Sequence, residues 1–240
     1  QLTYIAKILH KRNSSEEFLD LIKAAQDEFQ GRSEQLLSQE IIQSKKRNIE
    51  LLIEEFNRQR NLDPKLVESL AKAKSKGYES WQEAKRKSDF DIFLPFFNEL
   101  IKLRIEEAKQ ISDKYSPWET LAQPFEPDLT LDWLNKIFQP LKEKIPSLIS
   151  DLNQVEKNHW DLSPKSQQNL CTKLLDEFGR DEDLVVVAKS PHPFSITLGP
   201  DDYRITTRIV EREPLSSFLA TAHEWGHSIY EQGLPSQSHQ

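Results

Sequence analysis

The sequence predicts a mainly α-helical protein with a small β-sheet just ahead of its last helix. Three observations carry that prediction. Apolar residues recur at three- and four-residue spacing through roughly the first two thirds of the chain, with lysine and glutamate filling the other positions. Only 6 of 240 residues are glycine, so few positions invite a break. From about 184 to 210 the apolar period shortens to two and β-branched residues become frequent.

Asn13-Ser14-Ser15-Glu16-Glu17 offers a capping residue and early negative charge ahead of Phe18, Leu19, Leu21, Ile22 and Ala25. Leu36, Leu37, Ile41, Ile42, Ile49, Leu52, Ile53 and Phe56 predict a helix of about six turns. Asp63-Pro64 marks a boundary, because the residue before proline is turned away from the α conformation. Two further helices are expected, from Lys65 to about Ser75 and from Tyr78 to about Lys87. Phe90, Phe93, Phe96 and Phe97 read as core, and a helix with Pro95 in its first turn runs toward Ile111. Pro117, Pro124 and Pro127 predict an irregular connection from Ser116 to Asp128. Asp128 or Thr130 then caps a helix carrying Trp133, Leu134, Ile137 and Phe138, in which Pro140 and Pro146 predict kinks or breaks. Ser163-Pro164 opens a short helix that runs to Phe178 and is closed by Gly179.

Leu184-Val185-Val186-Val187 is short and β-branched. Two alternating runs follow, Phe194, Ile196 and Leu198, then Tyr203, Ile205 and Thr207, with turn chemistry at Gly199-Pro200-Asp201-Asp202 between them. This is a hairpin or a three-stranded sheet. Pro214 then introduces a helix from Leu215 to about Gln232.

Composition narrows the partners. With 32 basic and 39 acidic residues the net charge is −7, so the basic surplus of a nucleic-acid partner is absent. No apolar run approaches the roughly 20 residues of a membrane span, and no signal peptide is visible, so no membrane partner is expected. Lone Cys171, at an apolar helix position, excludes an internal disulfide and fits a reducing compartment, hence an expected cytoplasmic location. The chain opens at Gln1, contains no methionine and stops soon after its most informative motif. We expect residues 1–240 to be part of a single larger domain, shortened at both ends, with a helical region over 1–180 and a β element plus final helix over 181–240.

That final helix carries His223-Glu224-Trp225-Gly226-His227, an H-E-x-x-H motif. Residues four apart lie roughly 40° apart around a helix, so both imidazoles can reach one metal ion. Zinc accepts imidazole nitrogen and, in catalytic sites, keeps a position open for water, whose pKa it lowers. Glu224 stands where it can receive that water's proton. Two surface histidines on an amphipathic helix are the competing reading, and the setting inside a predicted helix after a β element favours the metal. Glu231 follows His227 by four residues, but three ligands in line on one straight helix string along its axis instead of converging. His239, past Gly233 and Pro235, has no specific support as the third ligand, which is therefore expected beyond Gln240.

Nearby residues have two readings each. His192, between prolines, caps a strand end with its ring on Phe194 or contributes to the site. Asp202 and Arg204 alternate on one strand and share a face, where they form a surface pair, or, if that face looks at the metal helix, Asp202 orients an imidazole.

The ordered set His192-Pro193-Phe194, Asp202-Tyr203-Arg204-Ile205-Thr206-Thr207-Arg208 and His223 through Gly233 resembles the thermostable carboxypeptidase Taq family of metallocarboxypeptidases, with its HPF, DxRxT and HExxH motifs. The stretch from Ala71 to Pro127 is similar to it too, including Asp89-Phe90 through Pro95 and Phe125-Glu126-Pro127. The resemblance implies a mostly helical zincin-like fold with a long cleft. It implies His223 and His227 as metal ligands, Glu224 as general base, and His192, Asp202 and Arg204 around the site. The family's third ligand, a glutamate in an HES-type motif, and its IRxxAD and GxxQDxHW motifs are not in this sequence.

The expected function is release of C-terminal residues from peptides by metal-activated water, with Zn2+ as the metal and Co2+ or Mn2+ accepted by the same donors. The resemblance also implies a homodimer for the complete protein. A related HExxH oligopeptidase that cuts internal bonds and a catalytically silent helical scaffold are the alternatives.

Overall fold

A computed structural model of the chain describes residues 1–32, 38–152 and 162–234. Its contacts divide into two units, Gln1–Asp151 and Leu152–Gln240. The sequence reading draws its internal line at 180/181, whereas here the helix before the sheet groups with the sheet.

In the first unit, α1 (Leu2–Asn13) packs on α4 (Pro64–Lys87), α4 on α5 (Leu94–Ile111), α5 on α6 (Pro117–Ala122), and α2 (Glu16–Arg32) on α3 (Gln39–Arg60). The caps follow the sequence. Ser15 Oγ accepts the Phe18 amide at 3.2 Å, and Asp63 Oδ1 accepts the Lys65 amide at 2.6 Å with Pro64 opening α4. Ile22, Phe56, Leu62, Leu66, Leu70, Ala84 and Ala108 are buried. Leu36 and Leu37 lie outside the described residues.

Four expectations for this unit need correction. The two helices expected over 65–75 and 78–87 are one helix, α4, which passes through Gly77. One interior glycine costs about 1 kcal/mol, too little to stop a helix whose buried face continues through Ser80 and Ala84. The connection expected to be irregular from Ser116 contains α6, started by a capping box in which Ser116 Oγ accepts the Glu119 amide and the Glu119 carboxylate accepts the Ser116 amide. Pro140 and Pro146 do not break α7 (Leu131–Asp151), which runs through both after Thr130 Oγ1 caps it at the Trp133 amide. Finally, Phe90, Phe93 and Phe97 form an aromatic cluster, with Phe90–Phe93 centroids at 5.9 Å and Phe90–Phe97 at 6.4 Å, but none of the four phenylalanines is fully buried. Phe90, Phe96 and Phe97 remain exposed and Phe93 is half-buried.

The second unit sets a sheet against two helices. β1 (Val185–Lys189), β2 (Phe194–Gly199) and β3 (Asp202–Thr207) lie in the order β1-β3-β2, with β1 parallel and β2 antiparallel to β3. β1 ends opposite Thr207 and β2 begins opposite Thr206, so residues 190–193 cross over the end of β3. α8 (Pro164–Glu177) packs on α9 (Pro214–Gln232), and α9 covers β3 and part of β2. Ser163 caps α8, and Gly179 follows it with φ +77°, a backbone conformation that side chains disfavour.

Leu175, Val185, Tyr203, Ile205 and Trp225 form the core of this unit, with Ile205 fully buried. Full burial of a large apolar side chain is worth about 1.5–3 kcal/mol. Because strand side chains alternate, Tyr203, Ile205 and Thr207 face α9, and Asp202, Arg204 and Thr206 face the other way. Cys171 is buried, as expected for an apolar helix position. Among the described residues no helix is long and apolar enough to cross a membrane.

Candidate metal centre

The helix that carries the motif is pinned along its buried face by hydroxyls and one amide. Gln167 on α8 donates to the carbonyls of Leu162 and Glu211 at 3.0 and 3.1 Å and accepts from Ser217 Oγ at 3.1 Å. Ser217 Oγ in turn accepts the Val210 amide at 3.0 Å. One turn on, Thr221 Oγ1 meets Thr207 Oγ1 of β3 at 2.7 Å and donates to the Ser217 carbonyl at 2.9 Å. All four side chains are buried, and among the described residues no buried side-chain nitrogen or oxygen lacks a partner. A buried polar network that is fully satisfied permits one register of helix against strand and penalises slippage.

Trp225 completes the anchoring, 2% exposed, with its indole N–H donating to the Phe178 carbonyl at 3.3 Å. His223 and His227 lie two residues to either side of it, each roughly 200° away around the helix. Placing Trp225 in the core therefore turns both imidazoles outward, and both are exposed. Their Nε2 atoms stand 3.2 Å apart, with ring planes at 90°. Two nitrogens bound to one tetrahedral zinc at ~2.0–2.1 Å are about 3.3 Å apart, so the donor set fits a shared ion. Glu224, 8% exposed, sits between them in sequence and reaches the same side of α9.

Glu224, His227 and Glu231 form one wall of an open cleft of about 550 Å3, and His192 through Thr197 form the other. That second wall is the start of β2, an edge strand that pairs only with β3 among the described residues. The structure thus gathers His192, Glu224 and His227 at one place. It does not bring Asp202 and Arg204 there. Arg204 grips Asp202 with two hydrogen bonds of 2.8 Å on the face turned from α9, and those bonds hold the Asp202 carboxyl below its ordinary range. Among the described residues no three His, Cys, Asp or Glu side chains converge as a metal site, so Glu231 does not complete one. His239 lies outside the described residues.

A profile of the carboxypeptidase Taq (M32) metallopeptidases matches residues 1–240. The chain belongs to that family.

M32 relatives agree in sequence and in fold. Carboxypeptidase 1 of Bacillus subtilis is 32% identical over 196 residues, 79% of this chain and 39% of its own length. Thermostable carboxypeptidase 1 of Thermus thermophilus is 27% identical over 99% of this chain and 48% of its own. The crystal structure of BsuCP superposes with a TM-score of 0.84 at 26% identity, over 98% of this chain and 47% of that one. Trypanosoma cruzi metallocarboxypeptidase 1 follows with a TM-score of 0.73 at 27% identity, over 94% and 45%. The chain therefore spans less than half the length of these relatives.

Sequence reasoning missed several residues that build the site. Ser195 and Thr197 line the cleft, and their alternation with Phe194 and Ile196 was legible. Gln167, Ser217 and Thr221 carried no sequence signal, because their roles arise from contacts as many as 50 residues apart.

Proposed function

We propose that this protein is a metallocarboxypeptidase that releases single residues from the C-termini of peptides. The observation that carries the reading is the pair of Nε2 atoms 3.2 Å apart beside the buried Glu224, at a cleft walled by an open strand edge. His223 and His227 hold a divalent ion, zinc first and cobalt or manganese with the same donors, and the third ligand comes from beyond Gln240. When bound, such an ion polarises a peptide carbonyl and makes a water molecule acidic near neutral pH.

Glu224 takes the proton that the attacking water gives up as its oxygen joins the carbonyl carbon. It passes that proton to the amine nitrogen as the C–N bond breaks. Its burial leaves little solvent with which to exchange the proton on the way. Among the described residues β2 pairs with β3 alone, so its outer edge offers an extended substrate main chain a strand to pair with. His192 and Glu231 bound the same cleft. In this reading the complete protein is one larger domain and a cytoplasmic homodimer. The net charge of −7 over residues 1–240 supports peptides over nucleic acid as the ligand.

The test uses the longest form of the protein that expresses, incubated with an N-blocked peptide with and without a chelator, with products identified by mass spectrometry. Chelator-sensitive loss of single C-terminal residues is expected. Internal cuts would assign the related oligopeptidase activity instead, and no metal-dependent cleavage would leave a silent scaffold.

A further inference from the structure

Residues 190–193 carry His192 to the cleft, and side-chain hydroxyls take part in tying them to β3. Pro191 and Pro193 have no N–H, so half of the crossover cannot donate. The Ser190 amide is bound to the Thr207 carbonyl at 3.1 Å, which fixes only the start. Two hydroxyls add further ties to β3. Ser190 Oγ contacts the His192 carbonyl and lies 2.7 Å from Thr206 Oγ1, and Thr206 Oγ1 accepts the Phe194 amide at 3.0 Å.

Proton counting orders these contacts. A carbonyl only accepts, so Ser190 spends its one hydroxyl proton on His192. Thr206 Oγ1 then has two acceptors for its proton, Ser190 Oγ at 2.7 Å and the Phe194 carbonyl at 3.4 Å, and the shorter contact takes it, while its own oxygen takes the Phe194 N–H. The result is a directed relay, Phe194 N–H to Thr206 to Ser190 to the His192 carbonyl, that ties both ends of the His192-Pro193-Phe194 segment to β3. Thr206 shares the strand face of Asp202 and Arg204, yet it is 7% exposed and its hydroxyl is bonded to the crossover.

We propose that Thr206 and Ser190 are positioning residues that hold the His192–Phe194 wall of the cleft at its distance from Glu224 and His227, and so set how tightly a peptide binds without affecting the metal. The inference rests on the peptidase reading for its substrate. The hydroxyl relay itself stands on the contacts alone.

The experiment compares Thr206→Val, Thr206→Ser and Ser190→Ala with the parent, in the longest expressed form loaded with zinc. Three quantities are read: zinc affinity by chelator competition, KM and kcat on an N-blocked peptide, and hydrogen exchange at the Phe194 amide. For Thr206→Val, KM should rise about five- to tenfold with kcat within about twofold, as expected when a binding wall loosens. Phe194 exchange should speed up by about tenfold or more, with zinc affinity unchanged. Thr206→Ser keeps the hydroxyl and should restore all of these. Ser190→Ala should raise KM less, because the Phe194 bond survives. Unchanged KM and unchanged Phe194 exchange in Thr206→Val would overturn the proposal, as would a parallel loss of zinc, which would make Thr206 a general fold residue. If the parent cleaves no peptide, the functional reading fails, and Phe194 exchange still decides the relay.

Discussion

His223 Nε2 and His227 Nε2 stand 3.2 Å apart on the exposed side of α9, while Trp225 between them is buried in the core and bonded to the Phe178 carbonyl. One stretch of helix therefore serves both the hydrophobic core and the donor pair. The spacing of the imidazoles is a consequence of where the indole goes.

Removing one imidazole should abolish the donor pair. His223→Ala and His227→Ala are each expected to lower zinc affinity at least about hundredfold, more than loss of an outer hydrogen-bond partner does, and peptide turnover should fall with it. Competition with a coloured chelator measures the affinity. Retention of parental affinity in either variant would dismiss the shared ion.

Glu224→Gln separates binding from proton transfer. The amide keeps the shape but cannot take up a proton, so zinc should stay and turnover should fall by about 10²–10⁴-fold. Full activity in this variant would remove the base from the mechanism.

Trp225→Ala empties the centre of the second unit and orphans the Phe178 carbonyl. A loss of about 3–5 kcal/mol is expected from the cavity, measurable by denaturant unfolding. Trp225→Phe should recover most of it and leave the unmet carbonyl as the remainder.

Asp202→Asn tests the face assignment. The Arg204 hydrogen bonds lower the folded pKa of Asp202. The pair is thus fully present above the unfolded value of about 3.9 and is lost as pH falls through the lower folded value. Amide exchange at Ile196 and Arg204 should therefore accelerate only in acid below the ordinary aspartate range, and Asp202→Asn should show that faster exchange already at neutral pH. Zinc affinity should not change, because the carboxylate is turned from α9. A tenfold drop would return Asp202 to the metal.

How far the sequence could be read depended on whether a feature is local. Ser15, Asp63, Thr130 and Ser163 cap helices in the structure, and each acts on amides within three residues. The gap expected between Ser75 and Tyr78 and the breaks expected at Pro140 and Pro146 do not occur, since a single residue's preference amounts to only a few kcal/mol against the continuity of a long helix. The helix at Pro117 was missed although Ser116 and Glu119 spelled its capping box, because the surrounding prolines argued for a loop.

The sequence by itself determined the helical character, the small sheet and the five-residue donor motif, since periodicities and i to i+4 spacing are properties of a short stretch of chain. Only the tertiary structure decided which face each residue occupies. Asp202 and Arg204 share a face in any strand, but packing of Tyr203 and Ile205 against Trp225 is what turns that face from the metal helix. His192 reaches the cleft because the chain crosses over the end of β3, where the hydroxyls of Thr206 and Ser190 bond to the crossover. Alternation fixes relative sides; which side meets the core depends on contacts between residues far apart in the chain, and no local pattern encodes it.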